Sequence, residues 1–291
     1  MYEICCIGHI TLDRIVTANA EKHMAGGTSF YFSNALRKLD LNYGLVTALA
    51  DTELSFVEDL RAGGIVVHVF PSAKTVYFEN IYSANLDHRT QRVLQEADPF
   101  TVEQLSGIDA EIFHLGPLLA NDISVELIKS LSLRGKVSLD VQGYLREVRD
   151  QRVCAVGWTE KKEALQYIHI VKADETELEV LTGVTGITEG AKILADWGVK
   201  EVVVTRASLG SVIYAEGRFY DIPAYHPAQE TDATGCGDTY MAGYLFKRVK
   251  GAGVQESGEF GAAMASLKIE SSGPFNGTQD EVEQLISSVK A

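Results

Sequence analysis

The chain has 291 residues, 46% hydrophobic and 23% charged, long enough to bury a full core as a globular protein. Its formal net charge of -14, with no run of Lys and Arg, excludes a nucleic-acid surface and leaves small molecules as the expected partners. No apolar run approaches the roughly 20 residues that cross a bilayer, so no membrane partner is expected. The start, MYEICCIGHITLD, carries Glu3 and only a short apolar stretch, which fits a buried first strand better than a signal peptide, and a cytoplasmic protein is expected. Cys5, Cys6, Cys154 and Cys236 show neither CxxC spacing nor a paired framework, so unligated thiols are the default.

In chain order, short apolar, β-branched runs at Tyr2–Ile7, Tyr43–Leu49, 65–70, 111–115, 137–141, 168–172 and Glu201–Thr205 read as strands. Most are followed by a helical period. Within 123–133, Ile123, Leu127, Ile128 and Leu131 share a face; 188–197 begins on a threonine cap and stops at Gly198. Such alternation implies an α/β fold, a mostly parallel sheet covered by helices on both faces. The stretch 68–97 breaks the alternation: TVYFENIY and RTQRVLQ, joined by SANLDH, read as a hairpin. Together with the β-like segment 9–18 it would form a small sheet projecting as a lid over the strand ends. With no internal repeat or long linker, residues 1–291 are expected to form a single α/β domain with a small β lid from about 9–30 and 68–97.

The stretch ETDATGCGDTYMAGYLF, residues 230–246, places Gly235 and Gly237 around Cys236, with Asp232 and Asp238 at the ends of the loop and an apolar helix directly after it. In open α/β sheets, ligands bind beyond the carboxyl ends of the strands. Successive N–H groups of Gly235, Cys236 and Gly237, added to the positive end of a helix dipole, would make an anion hole. Asp238, in the first helical turn, suits a base for a hydroxyl that attacks a phosphate held there. Taken alone, the same residues also fit a glycine turn with Asp232 or Asp238 as a helix cap. The seven histidines have no metal-ligand spacing, and there is no GxxxxGK[ST], no GxGxxG after the first strand and no GxSxG. A tightly bound transition metal, a P-loop kinase, a Rossmann dehydrogenase and an α/β-hydrolase therefore lack their main supports.

DATGCGDTYMAGYL resembles the C-terminal signature of the PfkB, or ribokinase-like, carbohydrate kinases, usually D-T-x-G-A-G-D followed by a small-residue helix. The resemblance extends along the chain in order: GHITLD, the pair Gly26 and Gly27, VKADETELEVLTG and VVVTRASLGS. It implies a Rossmann-like core with a β lid and an ATP-dependent kinase. In that reading Asp238 is the catalytic base, and Gly235, Cys236 and Gly237 hold the transferring phosphoryl group, with Cys236 in place of the usual alanine as a small spacer. Asp232 shapes the loop or a monovalent-cation site.

The resemblance further implies that Asp13 grips the acceptor's hydroxyls and that Gly27 lets the substrate approach the backbone. Tyr31 falls where ribokinase has an asparagine, which argues against ribose; Thr28, Ser29 and Asn34 are the other polar groups there. Glu177 is implied to act on magnesium through water, beside Asp174 in an asparagine position, and Lys172 is a candidate counter-charge for phosphate or else a solvated lysine. Thr205 and Gly210 flank the nucleotide, with Ala207 where a glycine is usual, while 262–272 and GPFNG fall where relatives enclose adenine. In LDVQGYLR, Gln142 could bond a hydroxyl, and Arg146 could stabilise transferring charge or lie on the surface.

The expected function is thus ATP- and magnesium-dependent phosphorylation of a hydroxyl of a small sugar, polyol or related metabolite, with monovalent-cation dependence left open. The alternatives are a nucleoside kinase of the same fold, with Phe30, Tyr31 and Phe32 stacking a base, and a non-catalytic sugar- or nucleotide-binding regulator. Exposed lid strands leave room for a homodimer.

Overall fold

A strand buried on both faces of a parallel sheet presents a continuous apolar run, with successive side chains entering opposite cores. The run YEICCI does this: Ile4 and Cys6 enter one buried cluster, Cys5 and Ile7 the other. The computed structural model describes residues 1–16, 21–82 and 89–290; the SANLDH turn and residues 17 and 18 of the 9–18 segment lie outside them.

The strands are β1 (Tyr2–Ile7), β2 (Thr11–Val16), β3 (Glu21–Gly26), β4 (Tyr43–Leu49), β5 (Val66–Pro71), β6 (Val76–Tyr82), β7 (Arg89–Gln95), β8 (Ala110–Leu115), β9 (Lys136–Asp140), β10 (Arg146–Arg149), β11 (Arg152–Ala155), β12 (Ile170–Asp174), β13 (Glu201–Thr205), β14 (Ser211–Ala215) and β15 (Arg218–Ile222). The helices are α1 (Thr28–Leu36), α2 (Leu54–Ala62), α3 (Val125–Ser132), α4 (Lys161–Ala164), α5 (Glu175–Thr182), α6 (Ile187–Asp196), α7 (Cys236–Val249), α8 (Val254–Ile269) and α9 (Gln279–Lys290).

The large sheet runs β15-β14-β13-β12-β9-β8-β1-β4-β5. From β13 to β5 all neighbours are parallel; β14 and β15 add an antiparallel edge. Helices α1, α7 and α8 pack on one face, and α3, α5 and α6 on the other, as the alternation requires. Helix α3 starts two residues later than the apolar period, because Ser124 accepts the Leu127 N–H and sets the cap. Helix α6 starts at Ile187 after Gly186, so the expected threonine cap is not used.

The second sheet runs β10-β11-β7-β6-β2-β3. The expected lid segments supply β2, β3, β6 and β7, but residues 28–30 belong to α1 and residues 68–71 to β5 at the edge of the large sheet. The two further strands, β10 and β11, turn at Asp150 and Gln151, both at positive φ (49° and 64°). That backbone usually needs Asn-Gly, which is why the hairpin is hidden in the sequence.

Candidate active site

Between the second sheet and the carboxyl ends of the large sheet lies a cleft of about 880 Å³. A smaller cavity of about 450 Å³ lies at the amino ends of β9, β12 and β13, away from the glycine loop. The large cleft brings together residues from five separate stretches of sequence: Asp13, then Gly27, Thr28 and Tyr31, then Gln142 and Arg146, then Lys172, then Asp232, Gly235, Gly237 and Asp238.

The floor is set by the α7 N-terminus. Gly235 is its N-cap in the left-handed region (φ 77°), and Tyr31 lies directly against it; a Cβ there would sit 2.9 Å from Tyr31 Cβ and closer still to its ring. Glycine is required twice over, by conformation and by space. Gly237 has room: a Cβ would meet Lys172 Nζ at 3.4 Å. Cys236 departs from the expected arrangement. Its N–H donates to Ala233 O at 3.2 Å, its Sγ lies 3.7 Å from Ala265 O, and it does not line the cleft. The loop closes its own turn with that N–H, leaving Gly235 and Gly237 as the cleft-lining glycines. Burial pushes the Cys236 thiol up to about 11, which makes it a poor nucleophile at neutral pH.

Asp238, partly buried, sits in the first turn of α7. Burial, then the negative charge of Asp140, pushes its carboxyl up to about 6, against the opposing pull of Lys172 and a hydrogen bond with Thr28. Asp140 is not among the residues singled out from the sequence. It closes β9, beside Lys172 in the parallel register, and its Oδ2 accepts from Lys172 Nζ at 2.9 Å. An aspartate ending an apolar strand at the ligand-binding edge was the available signal. Lys172 is not solvated: it is 6% exposed, with Glu177 Oε2 at 3.8 Å. Burial opposes its charge, but Asp140, Glu177 and Asp238 outweigh that and raise its pKa.

Asp174 and Glu177 form a capping box on α5. Asp174 Oδ1 accepts the Glu177 N–H at 2.7 Å, and Glu177 Oε2 accepts the Asp174 N–H at 2.8 Å. Asparagine and aspartate cap about equally well, so aspartate in an asparagine position keeps the helix start. Gln142 Nε2 lies 3.4 Å from Glu177 Oε1. Burial raises the Glu177 carboxyl, against the pull of Lys172.

Across the cleft, Thr11 Oγ1 donates to Asp13 Oδ1 at 2.6 Å, and the Asp13 carboxylate lies over Gly26, where a Cβ would come within 2.7 Å of Asp13 Cγ. Gly27, at φ 87°, caps α1. The second sheet adds Asn80 and Gln91, cross-strand partners joined at 3.1 Å, and an apolar wall of Ile15, Met24 and Phe78. Neither group was foreseen. Of the aromatic triplet, only Tyr31 lines the cleft; Phe32 is fully buried and stacks on His114 at 4.3 Å, so it cannot stack a ligand. Ser29 is buried, and Asn34 donates to Phe30 O within α1. Thr205 and Gly210 lie outside the cleft lining. Gly210 has φ 85° and lies so close to the backbone of residues 222–224 that a side chain has no room. Residues 262–269 belong to α8, and Ser272 reaches the cleft. Among the described residues, no group of three or more His, Cys, Asp or Glu is arranged to hold a metal ion.

The family pattern of the pfkB family carbohydrate kinases matches residues 109–281, which contain Asp140, Lys172, Glu177 and the whole glycine loop. The chain belongs to this family. As a pfkB-family kinase it is a phosphotransferase acting on a hydroxyl group. A cytidine kinase of Thermococcus kodakarensis is 27% identical over 280 residues, 91% of this chain and 95% of that one. A ribokinase of Arabidopsis thaliana is 30% identical over 174 residues, 57% of this chain and 43% of that one. Among solved structures, a pyrophosphate-dependent kinase in the ribokinase family, complexed with a pyrophosphate analog and myo-inositol, is 28% identical with a TM-score of 0.84 over 97% of this chain and 99% of that one. An Arabidopsis thaliana ribokinase complexed with ribose and ATP, 22% identical with a TM-score of 0.80 over 98% of both chains, shares the fold. No helix among the described residues is long and apolar enough to cross a membrane.

Proposed function

We propose that this pfkB-family kinase transfers a phosphoryl group from ATP to a hydroxyl of a small sugar, polyol or related metabolite, with Asp238 as the base. The observation that carries this reading is the Asp238 carboxylate, raised to about 6 at the α7 N-terminus and lining the same cleft as Asp13. A base works best when its pKa lies near the working pH, and this one is largely ionised at neutrality.

Asp13, its carboxylate fixed by Thr11, accepts from the acceptor's hydroxyls, while Gln142 and the Asn80–Gln91 pair offer amide donors and acceptors. The attacking hydroxyl gives its proton to Asp238. The N–H groups of Gly235 and Gly237, the α7 dipole and Lys172 stabilise the negative charge on the phosphoryl oxygens, and Arg146 adds a second cation at the rim. Asp232 holds the loop through Thr234, whose N–H donates to its Oδ1 at 2.9 Å. The second sheet covers the acceptor and keeps out water.

Magnesium fits as an ion carried by phosphates, because among the described residues no group of three or more His, Cys, Asp or Glu forms a cage and this ion usually keeps several waters. Glu177 would hold it through water, and the ion would neutralise phosphate oxygens.

Two findings favour specific variations. Similarity to a cytidine kinase over 91% of the chain, together with the apolar wall of Ile15, Met24 and Phe78, supports a nucleoside acceptor as the second reading. Similarity to a pyrophosphate-dependent kinase makes pyrophosphate the second donor to test. The experiment is a turnover screen with magnesium, pairing ATP or pyrophosphate with pentoses, hexoses, inositols and nucleosides. Product formation with a sugar or polyol is expected. A nucleoside preference, with nucleosides raising the melting temperature more than sugars, selects the second reading. No turnover with any pair favours a binding regulator.

A further inference from the structure

Lys268, near the end of α8, is a lysine with its side chain fully out of solvent. Its Nζ donates to the backbone oxygen of Asp232 at 2.6 Å and lies 3.7 Å from Asp232 Oδ2. The same helix end holds the loop by its backbone: Thr231 N–H and Asp232 N–H both donate to Ile269 O, at 2.8 and 3.1 Å. Asp232 in turn accepts from Thr234 N–H at 2.9 Å and Gly273 N–H at 3.4 Å. Burial works against the Asp232 carboxylate, but the Thr234 bonds, Lys268 and Gly273 outweigh it and hold its carboxyl below the usual range. The Lys268 charge therefore sits one short turn before Gly235, on oxygens that a monovalent cation would otherwise need. A helix C-terminus, with its carbonyls pointing outward, favours a cation there.

The resemblance to ribokinase-like enzymes gives Asp232 either loop shaping or a monovalent-cation site, and the residues present do not fit the cation, because an ammonium already lies on the Asp232 carbonyl. We propose that Lys268 is a built-in monovalent cation, a positioning residue that fixes residues 231–235 so that Gly235 and Gly237 face the transferring phosphoryl group, and that turnover needs no added potassium. This rests on the kinase reading above. Lysine suits the role as a compact point charge on a long apolar stem, and the Lys268 side chain is buried, the residue being 1% exposed.

The test compares wild type, Lys268→Met and Lys268→Arg in KCl, NH4Cl and choline chloride at one ionic strength. Wild-type kcat is expected to agree within about twofold across the salts. Lys268→Met should lose about tenfold or more in kcat with the acceptor KM little changed, and regain part of it in KCl or NH4Cl; Lys268→Arg should retain more activity than Lys268→Met. Melting temperatures give a readout independent of turnover: KCl should raise that of Lys268→Met relative to choline and leave wild type unmoved. Strong potassium activation or stabilisation of wild type, or an unimpaired Lys268→Met, overturns the proposal. If Lys268→Met does not fold, the wild-type salt comparison decides. If no acceptor turns over in any salt, the kinase reading has failed, and the melting comparison still decides the cation claim.

Discussion

Asp238 and Asp140 divide one electrostatic task. Burial and then Asp140 raise the Asp238 carboxyl to about 6, and Asp140 also accepts from Lys172, so the base proposed above owes part of its shift to a carboxylate that does not itself need to take the proton. In the proposed mechanism the ionised form of Asp238 is the working base, so kcat/KM should fall as pH drops through about 6 and be flat above it. Asp140→Asn removes the repulsion, so the acidic limb should move to lower pH; a limb that stays in place or moves up would remove Asp140 from this role. The two glycines of the loop should respond differently. Gly235→Ala meets Tyr31 and a positive φ, and should destabilise by about 1–3 kcal/mol with loss of turnover. Gly237→Ala has room beside Lys172 and should fold as wild type, which paired thermal melts would show. The glycines and Asp238 were legible in the sequence because their chemistry is local, one loop and one helix start. The partnership of Asp140 with Lys172 was not, since the two lie far apart in the chain and meet only through parallel strand register.

Among the elements, α5 shows how a local rule can stand in for a functional one. Asp174 and Glu177 cap their own helix, and the same Glu177 faces Lys172. Asp174→Asn should change stability by only a few tenths of a kcal/mol, whereas Asp174→Ala should cost about 1 kcal/mol in chemical denaturation. A large loss in the asparagine variant would mean that the charge, not the cap, is what matters. Strands β1, β4 and β13 were readable to the residue because burial on both faces leaves an unbroken apolar run. The β10–β11 hairpin was not, because REVR and RVCA are charged and their turn uses Asp150 and Gln151.

For the molecule as a whole, alternation along the chain points to the carboxyl ends of the strands as the ligand side, and the cleft lies at that end. What periodicity could not supply was the roof. Phe78 and Asn80 lie on β6 and Gln91 on the adjacent β7, where period-two patterning says which residues share a face but not what that face meets. The same limit hid the core position of Phe32 within an aromatic triplet that looked ready to stack a ligand. The most direct measurement is phosphoryl transfer by Asp238→Asn beside wild type, with donor binding followed in parallel. A carboxylate that acts as the base requires transfer to fall by about 10²–10⁴-fold while the donor still binds. Turnover near the wild-type rate would contradict it.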